Sequence, residues 1–237
     1  MSSSTAYDLI QACKRPGCPI CRVEGAAVER YLDNLFYESV NDVQLREKLR
    51  ASMGFCREHA WLAVDKRLGS ALGFAIIYHD VINNTLKQLE DDATRSTSKR
   101  WSTLLQQIPE QVSAIIQKVH YALTPHKHCV ACLQRDKTLH TITSSFIESL
   151  NESEMTSALR SSEGLCLPHL KKVFESVRDL ETCNLLLSIH REKLETLRGE
   201  LAEFIRKNDY RFKDEGFGAE GDSWQRAVSK VTGNHPK

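Results

Sequence analysis

Apolar residues return every three or four positions along two long stretches of this chain. The first runs Trp61, Val64, Leu68, Ala71, Ala75, Tyr78, Ile82 and Leu89, with Thr85 as its one gap. The second runs Leu170, Val173, Val177, Leu180, Cys183, Leu187, His190, Leu194, Leu197, Leu201 and Phe204. That spacing is one face of an α-helix. Each stripe predicts a helix of more than about 30 residues, roughly 45 Å at 1.5 Å per residue. Helices so long and so narrowly amphipathic need partners, either each other or their counterparts in a second copy. No alternating β-branched run bounded by turn residues occurs, so strands are not expected. The fold class this predicts is all-α.

Polar positions mark where helices begin and stop. Asn41-Asp-Val-Gln44 and Asn151-Glu-Ser-Glu154 read as helix starts, with Asn as the cap and Gln or Glu reaching back to it. Gly54 and Gly164 suit the left-handed residue that ends a helix. Residues 91–99 are polar and rich in Ser and Thr, and read as a linker. Residues 101–123 read as a further helix, with Pro109 near its start or at a kink. After Asn208 come Gly216, Gly218 and Gly221 among the aromatics Tyr210, Phe212, Phe217 and Trp224. Asp222 or Ser223 can cap a last short helix reaching Val231, and the aromatics predict a tail docked on the body. The expected organisation is a first module over 1–92, a linker over 93–100, a second module over 101–207 and a docking tail over 208–237.

The chain also repeats itself. Cys18-Pro-Ile-Cys21 is followed after 35 residues by Cys56-Arg-Glu-His59, and Cys129-Val-Ala-Cys132 after 34 by Cys166-Leu-Pro-His169. Residues 37–59 and 147–169 align without gaps. They share Glu38/Glu148, Ser39/Ser149, Asn41/Asn151, Leu49/Leu159, Arg50/Arg160, Ser52/Ser162, Gly54/Gly164, Cys56/Cys166 and His59/His169. An internal duplication explains this, and it predicts two helical modules of one design.

The repeated cysteines and histidines are of the types that hold a metal. A two-residue gap lets both thiolates of a Cys-x-x-Cys knuckle face one ion, while a cysteine just before a helix and a histidine in its first turn also face one way. The helix N-terminus favours the thiolate there. Structural zinc takes four such ligands in a tetrahedron. Two zinc ions per chain are therefore expected, on Cys18, Cys21, Cys56 and His59, and on Cys129, Cys132, Cys166 and His169. The near-equal spacings favour self-contained modules. Exchange, in which the first pair of one module shares an ion with the second pair of the other, is the alternative. An iron–sulfur cluster is the rival cofactor, and a redox dithiol a second rival. Glu38, Arg50, Glu148 and Arg160 are expected to brace the modules or to support the ligands from behind. Cys13 reads as a helix residue, Cys183 as core, and His126 and His128 as loop residues. His79 and His190, at similar places on the two long helices, read as interface histidines.

Composition narrows the function. Charged residues make up 27% and formal net charge is +1, so no basic field draws nucleic acid non-specifically. Lys14-Arg15, Lys99-Arg100 and Lys171-Lys172 leave a local patch possible. No signal peptide or membrane-length apolar run is seen, so a cytoplasmic location with reduced thiols is expected. No Walker loop, dinucleotide-binding glycine pattern or nucleophile elbow occurs.

At Cys18-Pro-Ile-Cys21 and Gly54-Phe-Cys-Arg-Glu-His59 the sequence resembles a group of uncharacterised bacterial proteins that form a domain family of unknown function. The likeness spans roughly residues 10–210. It implies a prokaryotic soluble protein with cysteine–histidine metal sites and implies no activity. The reading reached is a non-enzymatic zinc protein, a protein-binding adaptor or regulatory factor engaging a protein partner or its own copy. A zinc-dependent nucleic-acid-binding regulator and a thiol-based redox or metal sensor are the alternatives, and no membrane is expected as a partner.

Overall fold

A computed structural model describes residues 4–90, 109–212 and 214–234. Every regular element among them is helical, as the apolar periodicity predicts: α1 (Ser4–Cys13), α2 (Pro19–Glu38), α3 (Val43–Ala51), α4 (Arg57–Asp65), α5 (Ala71–Glu90), α6 (Glu110–Ala122), α7 (Val130–Ser149), α8 (Ser153–Ser161), α9 (Leu167–Ser176), α10 (Leu180–Lys207) and α11 (Ser223–Thr232). Short 3-10 turns at Tyr210–Phe212 and Ala219–Asp222 precede α11. The segment α2 to α5 and the segment α7 to α10 repeat one order, a 20-residue helix, a nine-residue helix, a short helix and a long one. The linker expected over 93–100 and the start of the helix expected over 101–123 lie outside the described residues. Pro109 stands at the N-cap of α6.

Several boundaries differ from the sequence reading for identifiable reasons. The cap of α3 is Asp42, whose Oδ1 accepts the Leu45 N–H at 2.6 Å, one residue later than Asn41. A carboxylate at that place also faces the positive end of the helix, which favours it over the amide. Glu152 holds the matching place before α8 without a side-chain hydrogen bond to the helix's first turn. Gly54 does end α3, where the Gly54 N–H returns to the Leu49 carbonyl at 2.7 Å and the Met53 N–H to Arg50 at 3.2 Å. That is a Schellman closure, and Met53 itself takes the left-handed conformation (φ +53°).

Neither long stripe is a single helix. The first breaks between Asp65 and Ala71, where Arg67 (φ +54°) and Gly69 (φ +66°) are left-handed. The second breaks at Val177, and Asp179 restarts it by accepting the Thr182 N–H at 2.7 Å. Gly69-Ser70 and Asp179 are stop and cap residues that the in-phase apolar stripe conceals.

The chain forms two compact units. One joins Met1–Ala27 to Arg135–Lys237, and the other is Val28–Gln134. These boundaries fall inside α2 and α7, so the units cut across the expected modules 1–92 and 101–207. In the first unit Leu9, Ile20, Phe146, Met155, Leu165, Val173 and Leu186 are core residues drawn from α1, α2 and α7 to α10. In the second, Leu32, Phe36, Leu49, Phe55, Ala63, Ile77 and Val130 form the core. Phe36 stacks on Phe74 with ring centroids 3.7 Å apart. The loop into α5 is drawn against the same residue, and the Gly69 N–H donates to Asp33 at 2.6 Å.

The segment after α10 docks on the first unit through polar anchors. Arg226 pairs with Glu200 at 2.6 Å and Lys207 with Glu220 at 2.7 Å, and α11 lies on α9 and α10. Of the aromatics expected to dock it, Phe217 stacks on Phe204 of α10 with ring centroids 5.1 Å apart and Phe212 lies under the Arg206 guanidinium, while Tyr210 and Trp224 remain exposed. No helix among the described residues is long and apolar enough to cross a membrane.

A β-carbon at Gly73 would stand 2.1 Å from the Phe36 carbonyl oxygen, which is backbone and cannot move aside. Gly73→Ala is therefore expected to destabilise the second unit by about 2–3 kcal/mol, measured as a lowered midpoint in urea denaturation.

Candidate metal centres

Two clusters of four side chains stand out, each of three cysteines and one histidine, with ligand atoms all within 4.8 Å of one another. The first, in the first unit, gathers Cys18, Cys21, Cys166 and His169; the second, in the second unit, gathers Cys56, His59, Cys129 and Cys132. Either could hold a metal ion. All eight expected side chains are in the clusters, and the pairs are exchanged. Each knuckle meets the Cys-x-x-His of the other repeat, so self-contained modules do not form.

Local structure explains how each pair is aimed. The knuckles open α2 and α7, with Cys18 and Cys129 just ahead of the helix and Cys21 and Cys132 in its first turn. Cys56 and Cys166 are the N-caps of α4 and α9, extended in backbone (φ −64° and −68°), with His59 and His169 in the first turn. Cap and first-turn side chains three residues apart face the same way. In the first cluster His169 Nδ1 lies 3.6 Å from Cys18 Sγ, 3.2 Å from Cys21 Sγ and 3.3 Å from Cys166 Sγ, and Cys21 and Cys166 are 3.7 Å apart. In the second, His59 Nδ1 lies 3.2 Å from Cys56 Sγ, 3.8 Å from Cys129 Sγ and 3.4 Å from Cys132 Sγ, and Cys56 and Cys132 are 3.7 Å apart.

Outside the ligand atoms the supports differ. The Nε2–H of His169 faces Glu24 Oε2 at 3.3 Å, which fixes the ring with Nδ1 toward the sulfurs. His190 is buried on α10. Its Nδ1–H donates to the Leu186 carbonyl at 2.8 Å and its Nε2 accepts the Leu165 N–H at 2.9 Å, so the ring is neutral and holds the turn before Cys166. Burial lowers its pKa, as that role requires. At the corresponding place on α5 stands Tyr78, which lies against Gly54 as His190 lies against Gly164. His79, the expected counterpart, is on the exposed face of α5.

The four bracing residues fare unequally. Arg50 pairs with Asp80 at 2.7 Å alongside Arg46 at 3.1 Å, tying α3 to α5. Arg160 supplies only its carbonyl, to Lys193 Nζ at 2.6 Å, tying α8 to α10. Glu38 and Glu148 are exposed at the ends of α2 and α7 and do not reach the clusters. There the buried member of the recurring Glu-Ser pair is Ser149, whose hydroxyl donates to Phe146. Cys13 is buried at the end of α1, its thiol pushed up to about 11 by burial, and Cys183 packs against the core. His126 and His128 are exposed loop residues. Glu24, Asp80 and Asn234, absent from the sequence reading, all lie outside the aligned segments.

The protein groups alone cannot all ionise at such close range. Hydrogen bonds from Cys18 and Cys21 hold the Cys166 thiol well below its ordinary value, while the bond shared with Cys166 pushes Cys21 well above it. Burial opposes protonation of His169, but its bonds to Cys166, Cys18 and Glu24 carry it up to about 12. In the second cluster burial raises Cys129, yet His59 and backbone N–H groups bring it down to about 6. Burial and the bond to Cys56 push Cys132 up to about 12. Each cluster thus retains protons at neutral pH that a cation would displace.

Residues 8–237 match the model of a family described as "Family of unknown function (DUF6062)". The chain belongs to that family. It is similar to a Caldicellulosiruptor sp. (strain Rt8B.4) protein titled "Uncharacterized 23.9 kDa protein in xynA 3'region", at 26% identity over 227 residues, covering 95% of this chain and 99% of the relative. No solved structure matches it.

Displaced protons give metal binding a definite pH dependence. Raised groups such as Cys21, Cys132 and His169 must lose a proton to bind a cation, so affinity rises with pH. Lowering the pH from about 8 to about 6 should weaken binding about tenfold per unit for each proton displaced. Loading in weak buffer should acidify the solution, which a pH-indicator titration reads directly.

Proposed function

We propose that this chain is a zinc protein with one closed structural site in each unit, whose role is to bind another protein and not to catalyse a reaction. Cys18, Cys21, Cys166 and His169 are the ligands of the first ion, and Cys56, His59, Cys129 and Cys132 those of the second. The observation that carries this reading is spacing. Zinc holds sulfur at about 2.3 Å and imidazole nitrogen at about 2.0–2.1 Å, so a tetrahedron has edges of about 3.8 Å between sulfurs and about 3.6 Å between sulfur and nitrogen. Cys21 and Cys166 are 3.7 Å apart at sulfur, as are Cys56 and Cys132, the sulfur–nitrogen separations run from 3.2 to 3.8 Å, and all ligand atoms of a cluster lie within 4.8 Å of one another.

The rival cofactor fits less well. An iron–sulfur cluster places several irons and sulfides between its cysteines, and ligand atoms all within 4.8 Å leave space for a single ion. Four protein ligands leave no open position of the kind a catalytic zinc keeps, which favours a structural role. Leu180, Leu187 and Leu194 are exposed at seven-residue spacing along α10. A seam of that period supports a helical protein partner or a second copy.

Elemental analysis of protein purified without added metal should find two zinc per chain and no visible absorption band. Cys166→Ser should reduce this to about one, lower the melting temperature by about ten degrees or more and leave Cys18 and Cys21 open to alkylation. Iron in the protein, or a Cys166→Ser chain that keeps two zinc, would refute the assignment.

A further inference from the structure

The two clusters differ most at one edge. In the first, the residues after α11 lie across Cys21 and Cys166. The Asn234 backbone N–H donates to Cys21 Sγ at 3.4 Å. The Asn234 side chain clasps the knuckle, its Oδ1 accepting the Cys18 N–H at 3.0 Å and its Nδ2 donating to the Cys18 carbonyl at 3.3 Å. Gly233 is left-handed (φ +95°), and a β-carbon there would stand 3.5 Å from Cys21 Sγ and 3.9 Å from Cys166 Sγ. One turn earlier the buried Lys230 donates to the carbonyls of Glu163 and Leu165, just ahead of Cys166. One short segment therefore grips both ligand pairs.

In the second cluster the equivalent edge is Cys132 to Cys56. Cys56 is partly exposed where Cys166 is buried, Cys132 is partly exposed as Cys21 is, and among the described residues no hydrogen bond from outside the ligand set reaches the sulfur of Cys56 or Cys132. The support behind the histidine also changes. Counting from the first cysteine of each knuckle, Arg135 occupies the place of Glu24.

We propose that the two ions are held unequally, the first clasped permanently by the C-terminal segment, the second exchangeable through its Cys56–Cys132 edge, which no segment clasps among the described residues. This rests on the zinc reading above. Exchange there is ligand substitution without redox change. An incoming thiolate bonds to zinc through that edge while Cys56 or Cys132 leaves, and the departing sulfur takes up the proton that the incoming thiol gave up. At the first site the Gly233–Asn234 backbone blocks that approach. The second site is thus suited to passing zinc to, or receiving it from, another thiol-bearing molecule.

The test uses the full zinc-loaded chain mixed with excess 4-(2-pyridylazo)resorcinol. Release is expected in two phases of one zinc each, at least tenfold apart in rate. Cys56→Ser should abolish the fast phase. Asn234→Ala should leave it unchanged and speed the slow phase about 10–100-fold, the usual effect of losing a partner behind a metal ligand. A measurement on the unaltered chain guards against misfolded variants: brief N-ethylmaleimide treatment followed by peptide mass analysis should find Cys56 and Cys132 modified before Cys18, Cys21 and Cys166. A single release phase, or labelling that begins at Cys18 or Cys21, overturns the proposal while leaving the zinc reading intact. Fewer than two zinc per chain before mixing would instead sink the zinc reading, and this proposal with it.

Discussion

A helix of 20 residues follows each Cys-x-x-Cys knuckle, and the rest of the structure depends on its length. At 1.5 Å per residue it runs about 30 Å. Between its far end and the next ligand pair lies one nine-residue helix, about 13 Å long. The long helix carries the chain away from its own knuckle, and Cys56 comes to Cys132 and Cys166 to Cys21 instead. Each Cys-x-x-His stays at the end of one long helix and meets the knuckle that opens the other. The cores follow the same logic, since Phe36 near the end of α2 shares a core with Val130 at the start of α7. Phe146 near the end of α7 shares one with Ile20 at the start of α2.

The exchange produces nested loops. Cys56 and Cys132 are 76 residues apart, and that span lies wholly inside the 145 residues from Cys21 to Cys166. A cross-link removes more entropy from the unfolded chain the longer the loop it closes, growing as the logarithm of length. One ion at each cluster therefore constrains the chain more than two short-range fingers would. The inner unit is one continuous stretch with its own core and its own cluster. The outer unit has to recruit both ends of the chain, and its long-range contacts carry the larger closure cost. This gives a physical reason for the C-terminal segment to reinforce the outer cluster, where the loop is longest.

Much of this was legible in the sequence, and what was not has specific causes. The all-α class, the eight cluster residues and the glycine stop at Gly54 follow from periodicity, residue type and left-handed backbone. Ligand pairing did not follow: the near-equal spacings of 35 and 34 residues pointed to self-contained modules, although equal spacings are just as compatible with exchange between two copies of one repeat. The contacts within the two clusters decide between them. The helix breaks at Gly69 and Asp179 were hidden because the apolar stripe resumes in phase after each. Glu24 and Asn234 could not be found by comparing the repeats, since neither has a counterpart in the other half. Glu38 and Glu148 show the converse error, a recurring pair that is exposed in both places and touches neither cluster.

The repeats keep the same four ligand types and change nearly everything behind them. His190 bonds the turn before Cys166, while Tyr78 packs against Gly54 in the turn before Cys56. Asp80 with two arginines ties α3 to α5, where Lys193 and a backbone carbonyl tie α8 to α10. Each substitution supplies the same physical service with different chemistry. The requirement that the two halves have in common is thus the geometry of three sulfurs and one Nδ1 around a shared centre. The supports are free to diverge, and their divergence would let two clusters of one composition differ in how firmly they held an ion.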